Sequence, residues 1–305
     1  MCFANAISSR NLLMIDAKKI RAQCLLSGFD LFGIASPYVE TSESDFFKNW
    51  LEKGYGADMN EWLDRGSAKR INPGLILDGV KSVICLGVNY YPGDHQATSG
   101  LVARYAWGDD YHEIIGDMCK SVCNFLIKNY DDTPKWYTDT GAIFERYFAV
   151  KAGLGFIGKN TCLITDKFGS WVLLAVIFSK IEFEPTTGKT IKSCGTCSRC
   201  VDSCPTGALS KVCVDSRKCI SYLTIEKKGE FSETEKSLIA NQKFCFGCDR
   251  CQEVCPHNVR AKKTDKFNPK IESLSLETLP DAEFFKKSPI KRNLRGLSKL
   301  VRIVN

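Results

Sequence analysis

The chain has 305 residues, 44% of them hydrophobic, which is enough for a sizeable core and more than one typical domain. Its longest apolar run, at 171–178, falls well short of the roughly 20 residues that cross a bilayer, and the start "MCFANAISSR" lacks a basic region followed by an apolar stretch, so a soluble, cytoplasmic protein without membrane span or export signal is expected. The net charge of +7 is concentrated at the end: no acid follows Glu283, while Lys286, Lys287, Lys291, Arg292, Arg295, Lys299 and Arg302 all do, which reads as a solvated helix face or as a phosphate-binding element.

In chain order, "DAKKIRAQCLLSG" has helical spacing and a Gly stop, "FDLFGIA" reads as a strand, and "SESDFFKNWLEKG" reads as a helix. "KSVICLGVNYY" predicts a buried strand, and a long amphipathic helix follows within 109–130, with Ile114, Ile115, Met118, Val122, Phe125 and Leu126 on its apolar side. "KWYTDT" is a short strand, "AIFERYFAVKAG" a helix ending at Gly153, and "TCLITDKFGSWVLLAVIF" two strands around a D-K-F-G turn. These patterns predict a mixed α/β domain over 1–185. From 186 the chain turns polar and cysteine-rich as far as 262, and 263–305 reads as Pro-punctuated helical pieces with the basic tail, giving an α+β protein overall.

Of the sixteen cysteines, ten lie between 194 and 255, a clustering that favours metal over disulfides in a chain of this size. The other six, Cys2, Cys24, Cys85, Cys119, Cys123 and Cys162, sit in apolar surroundings and read as small core residues. Cys194, Cys197, Cys200 and Cys204 precede Pro205, and Cys245, Cys248, Cys251 and Cys255 precede Pro256, so C-x2-C-x2-C-x3-C-P occurs twice. In two-cluster ferredoxins three cysteines of such a run bind one cubane and the fourth reaches the other. Zinc would leave the third and fourth cysteines of each run unexplained. Two 4Fe–4S clusters are therefore predicted in a ferredoxin-like domain. The first takes Cys194, Cys197, Cys200 and Cys255; the second takes Cys204, Cys248 and Cys251, with either Cys245 or Cys219 as its fourth ligand.

"KAGLGFIGKN" matches G-x-G-x-x-G at Gly153, Gly155 and Gly158, but it closes a helix where a dinucleotide fingerprint opens one, and Asn160 lacks the hydroxyl of a P-loop. It reads as a Gly-rich turn. "DDYHEIIG" approaches a corrinoid D-x-H-x-x-G motif with Gly116 one place late, which makes His112 a poor cobalt ligand. Asp139, where "KWYTD" gives way to a helix, reads as an N-cap or as a partly buried acid with a raised pKa.

The stretches "ARYAWGDDYH", "YTDTGAIFERYFAVKAGLGFIGKN", "FGSWVLLAVIF", "CGTCSRCVDSCPTGAL", "KCISYLTIEKKG" and "FGCDRCQEVCPHN", in this order and spacing, resemble the epoxyqueuosine reductases, from about residue 16 to the end. The resemblance implies reduction of epoxyqueuosine to queuosine at the wobble position of tRNA anticodons, through cob(I)alamin fed by the two clusters. It implies that Cys219 is the fourth ligand of the second cluster and leaves Cys245 spare, that Asp139 is the proton donor, and that Arg70, Arg104, Asp139, Leu163, Leu174, Ser221 and Asp249 line the cobalamin site of the α/β domain. The implied partners are a tRNA anticodon stem-loop and an external low-potential electron donor, with a monomeric protein and no membrane. Longer members continue into helical repeats where this sequence stops, which puts the tRNA-binding surface in doubt. The other classes weighed are a small-molecule corrinoid reductase of the reductive-dehalogenase kind and a ferredoxin-like electron-transfer module.

Overall fold

The structure, a computed structural model, describes residues 17–186, 193–275 and 287–304, without the side chains of 292–296. Cys2, Asp16, the 187–192 part of the expected boundary, Lys286 and the side chains of Arg292 and Arg295 lie outside the described residues. The core of the first region is a four-stranded antiparallel sheet in the order β1-β2-β7-β4, made of β1 (Leu31–Ala35), β2 (Ser82–Asn89), β7 (Val172–Ser179) and β4 (Lys135–Tyr137). Each pairing is antiparallel, and β2 and β7 run together from Ser82 opposite Ser179 to Asn89 opposite Val172.

Every residue of β2 is buried, because both faces of this central strand are covered. Successive side chains of a strand alternate between faces. Ile84, Leu86 and Val88 accordingly join a core with Ile20 and Cys24 of α1 (Ala17–Leu26) and with Ile115, Cys119, Val122 and Leu126 of α5 (Tyr111–Tyr130). Val83 and Cys85 join the opposite core with Phe148 and Ala152 at α6 (Glu145–Lys151). α2 (Thr41–Glu52), α3 (Asn60–Arg65) and α4 (Ser67–Ile71) occupy the connection from β1 to β2. The expected strands and helices of this region therefore form where the hydrophobic pattern put them.

A second core joins early and late sequence. Strand β3 (Leu101–Val102) pairs in parallel with β8 (Phe244–Phe246), and Val102 and Trp107 pack with Leu223 of α8 (Ile220–Ile225), Ile239 of α9 (Glu233–Gln242) and the last helix, α11 (Leu294–Val304). Two short helices, α7 (Arg199–Asp202) and α10 (Arg250–Glu253), follow the leading cysteines of the two runs. Residues 263–275 are not helical as the sequence suggested: Pro269 interrupts the segment, and it lies alongside β3, with Val102 N–H donating to Glu272 and Leu101 bridged to Ser273.

The basic tail is structural as well as charged. In α11, Leu297, Leu300, Val301 and Val304 are buried, whereas Lys299 reaches Glu230 at 2.5 Å and Lys291 pairs with Glu113 and Asp110. No described helix is long and apolar enough to cross a membrane. Leu300→Ala should cost about 2–4 kcal/mol through the cavity it leaves, while the exposed Lys299→Ala should stay within about 0.5 kcal/mol; urea unfolding of the cluster-loaded protein measures both.

Candidate active site

A cavity of about 810 Å³ opens where the two cores meet. One side is the apolar wall of Leu163 and the β7 residues Val172, Leu173 and Leu174; the others carry Tyr90, Tyr105 and Tyr111, Trp62 of α3, Ser221 and Ile225 of α8, and Phe246 of β8. Arg65, Arg146 and Lys228 line it together with the acids Asp58, Asp139 and Glu226, so its charge is mixed rather than uniformly basic. An apolar wall with a few convergent polar groups is the composition of a cofactor site.

Asp139 stands on this wall. It is not an N-cap, because α6 begins six residues later and is preceded by Phe144; Asp139 has instead the left-handed φ of 60° on the loop after β4. A non-glycine residue in that region is held there by its surroundings. Here its N–H donates to Glu145 Oε1 at 2.8 Å. Its Oδ2 accepts from the Tyr111 hydroxyl at 2.8 Å and lies 3.5 Å from His112 Nε2. Although the side chain is 68% exposed, it opens into the cavity and not onto a convex surface.

The expected raised pKa of Asp139 is overturned. His112 beside it holds the carboxyl below the ordinary carboxylate value, burial opposes this, and the Tyr111 hydroxyl adds to the lowering. Glu145 behaves oppositely: burial, reinforced by the charge of Asp139, pushes its carboxyl up to about 8. The true N-cap nearby is Asp110, which opens α5, accepts from His112 N–H at 3.1 Å and holds His112 Nδ1 at 2.6 Å. His112 thus faces the acid with one ring nitrogen and a buried carboxylate with the other.

The cysteines gather into two groups. Cys194, Cys197, Cys200 and Cys255 line one small cavity with Pro256 and His257, so the fourth cysteine of the second run does cross to the first. Around the other position, the thiols of Cys248 and Cys251 are pushed up by burial; the charge of Cys219 raises both, and Cys219 is itself raised by burial and by Cys204. Cys204 lies below the ordinary thiol value, because the N–H groups of Leu209, Thr206 and Ala208 outweigh its burial. Buried thiols that raise one another cannot all ionise alone, and a cationic iron centre relieves that cost. The donor set fits iron–sulfur clusters. Cys245 is turned away, fully buried with its Sγ 3.1 Å from the Gly100 carbonyl.

Of the residues implied for the cofactor site, Asp139, Leu163, Leu174 and Ser221 are brought together on the cavity wall. Arg70, Arg104 and Asp249 are buried behind it. Arg70 donates to the Leu63 carbonyl and lies over Trp62. Arg104 donates through its backbone N–H and its guanidinium to Asp249 Oδ2, at 2.8 and 3.0 Å, and to Glu253 Oε1 at 2.9 Å, while lying over Trp171. The burial of Asp249 pushes its carboxyl up to about 6 even beside that charge. Residues the sequence did not single out for the site are Tyr111, Glu145 and Cys162; Cys162 lines the cavity, and its thiol is pushed up to about 11 by burial and by neighbours that include Cys255 and Cys200. Its local sequence carries no signal of this, since the neighbours come from 35 or more residues away. The Gly-rich 153–158 segment makes the expected turn and then enters the short strand β5 (Phe156–Ile157), paired with β6 (Leu163–Ile164). A Cβ at Gly155 would sit 2.1 Å from the Ile164 carbonyl, so the glycine serves close backbone approach, and Lys159 beyond it donates to the carbonyls of Gly195 and Cys197.

Comparison with known proteins places this arrangement. A sequence-family profile described as "Epoxyqueuosine reductase QueG, DUF1730" matches residues 70–140, and one described as "4Fe-4S double cluster binding domain" matches 193–258. The chain is 34% identical over 302 residues to the epoxyqueuosine reductase of Leadbetterella byssophila, covering 94% of this chain and 98% of the relative. The chain belongs to the epoxyqueuosine reductase family. Against the epoxyqueuosine reductase of a Synechocystis species, identity is 38% over 281 residues, covering 85% of this chain and 94% of the relative. A crystal structure of an epoxyqueuosine reductase with an epoxyqueuosine-modified tRNA-Tyr stem loop is 27% identical with a TM-score of 0.83, covering 94% of this chain and 80% of that one. A B12-dependent reductive dehalogenase shares the fold, with a TM-score of 0.51 at 15% identity over 97% of this chain and 37% of that one. Family membership and the double-cluster profile make residues 193–258 an iron–sulfur domain.

The geometry of the cysteines yields a direct test. Cys219→Ala should lower the iron content of anaerobically reconstituted protein to about half, by removing one of two clusters, while Cys245→Ala should leave it unchanged; iron and sulfide analysis showing the reverse pattern contradicts this.

Proposed function

We propose that this chain is an oxidoreductase that reduces epoxyqueuosine to queuosine in a tRNA anticodon loop, with cobalamin in the 810 Å³ cavity and two 4Fe–4S clusters beside it. The observation that carries this reading is the carboxylate of Asp139, fixed by Tyr111 and His112 on the wall of a cavity that is also lined by Ser221 and Gln252, close in sequence to Cys219 and Cys251. Its relatives carry the name of the activity, and one was solved with the modified stem loop.

The cluster ligands follow the two groups described above: Cys194, Cys197, Cys200 and Cys255 for one, and Cys204, Cys219, Cys248 and Cys251 for the other. Cobalamin would lie against Leu163, Leu174 and Ser221 with Asp139 at its edge, and Arg70, Arg104 and Asp249 would support that wall from behind. Bound there, cobalamin supplies a strongly reducing nucleophilic centre and the clusters supply electrons one at a time from an external low-potential donor.

The protein's own residues then have defined tasks. The apolar wall excludes water from the reacting carbon atoms. Asp139 gives a proton to the epoxide oxygen as the ring opens, so that no free alkoxide forms. Because its resting carboxyl is held low, it must take up that proton as substrate displaces solvent from the cavity, when the loss of hydration favours the neutral acid. Arg65, Arg146 and Lys228 at the cavity give the backbone of an extruded nucleotide cationic partners, as needed for a base that leaves its stack to react.

Asp139→Asn should bind cobalamin and stem loop as the unaltered protein does, yet form product more slowly by about 10²–10⁴-fold in a single turnover. Near-normal product formation removes the acid role, and an unperturbed corrinoid spectrum on mixing with the cluster-loaded protein removes the cofactor assignment.

A further inference from the structure

The reaction proposed above breaks both C–O bonds of an epoxide and releases the oxygen as water, so it consumes two electrons, supplied through the clusters, and two protons. One carboxyl group holds one proton. A second must come from a group close enough to recharge the first, and the structure holds one in place.

His112 lies between two carboxylates. Nδ1 is 2.6 Å from Asp110 Oδ1, and Nε2 is 3.5 Å from Asp139 Oδ2. An ionised carboxylate can only accept, so an imidazole facing carboxylate oxygens through both nitrogens donates from both and carries the extra proton, unless Asp139 carries it instead. The ring cannot turn away: Asp110 is 1% exposed, accepts from the His112 backbone N–H and faces Lys291 at 3.2 Å, and the Tyr111 ring stacks on the imidazole at 3.9 Å and 27°. Tyr111 also donates its hydroxyl to Asp139 Oδ2, fixing the receiving oxygen.

We propose that His112, clamped by Asp110, is the store of the second proton: Asp139, having taken the first proton from solvent as substrate enters, protonates the opening oxygen, and His112 then passes its Nε2 proton to Asp139 Oδ2, which delivers it to the same oxygen as it departs as water. Solvent then reprotonates both groups. This rests on Asp139 as the acid. The other titratable groups around the pair are Tyr105 before α5, Glu145 and Arg146 on α6, Glu226 just past α8, and Lys291 and Glu113 beyond Asp110. Glu145, the nearest rival store, is engaged with the backbone N–H of Asp139 and not with its carboxylate. The lowered position of Asp139, due first to His112, agrees with a resting proton on the imidazole.

The test is single-turnover reduction of an epoxyqueuosine-bearing stem loop by enzyme loaded with both clusters and cobalamin, across the neutral and alkaline range, for the unaltered protein, His112→Gln and Asp139→Asn. His112→Gln should be slower by about 10²-fold, lack the alkaline decline of the unaltered enzyme, and regain rate with added imidazole, while cobalamin and stem-loop affinities stay unchanged. Independently, nitrogen NMR with the clusters oxidised should show both ring nitrogens of His112 protonated at neutral pH, and not in Asp110→Asn. An unaltered rate and pH profile in His112→Gln alongside an inactive Asp139→Asn overturns the relay alone, an active Asp139→Asn overturns the acid and the relay together, and a singly protonated His112 in the unaltered protein overturns the relay on its own.

Discussion

The buried pair of Arg104 and Asp249 is the interaction on which the rest of the molecule depends. Arg104 sits just past β3, between the two cores, and Asp249 sits between two cysteines of the second run, so their hydrogen bonds at 2.8 and 3.0 Å fasten the cysteine-bearing loops to the early part of the chain. Both side chains are about 3% exposed. Removing one charge would leave the other without compensation in a low-dielectric setting, which is far more costly than exchanging both for apolar groups. Gln252 and Asn258 extend the junction by bonding Ser170 beside β7. This is why one cavity can be lined by sheet residues on one side and by α8 and β8 on the other.

That junction explains how charge is managed. Cys248 and Cys251 are buried enough that their thiols resist ionisation, a cost that bound iron would relieve, which couples cluster assembly there to the packing of the second core. On the far side of the cavity the problem is inverted. Asp110, His112 and Asp139 lie in a row, and burial together with the charge of Asp139 pushes the Glu145 carboxyl up to about 8.

Much of this was legible in the sequence. The buried strand β2 declared itself as a continuous apolar run, α5 by its period, and the iron–sulfur domain by a cysteine spacing that few other sites share. The choice between Cys219 and Cys245 was not legible from spacing, because what separates them is direction: Cys245 lies in a strand with its sulfur on a backbone carbonyl, and Cys219 lies at the head of α8 near Cys204. The environment of Asp139 was misjudged for a related reason. Its strand-to-helix position suggested a cap and its chemistry suggested a raised pKa, whereas a loop with positive φ and a histidine contributed by α5 decide both. Arg70, Arg104 and Asp249, implied for the cofactor site, are buried and do not line the cavity, a placement set by tertiary packing.

The central claim is that iron–sulfur and corrinoid centres share one cavity wall closely enough to exchange electrons. Electron paramagnetic resonance of the anaerobic protein, loaded with cobalt(II) cobalamin and with its clusters reduced, measures this directly. The account predicts a cobalt signal broadened by coupling to a reduced cluster. A sharp cobalt signal indistinguishable from that of free cobalamin would contradict it.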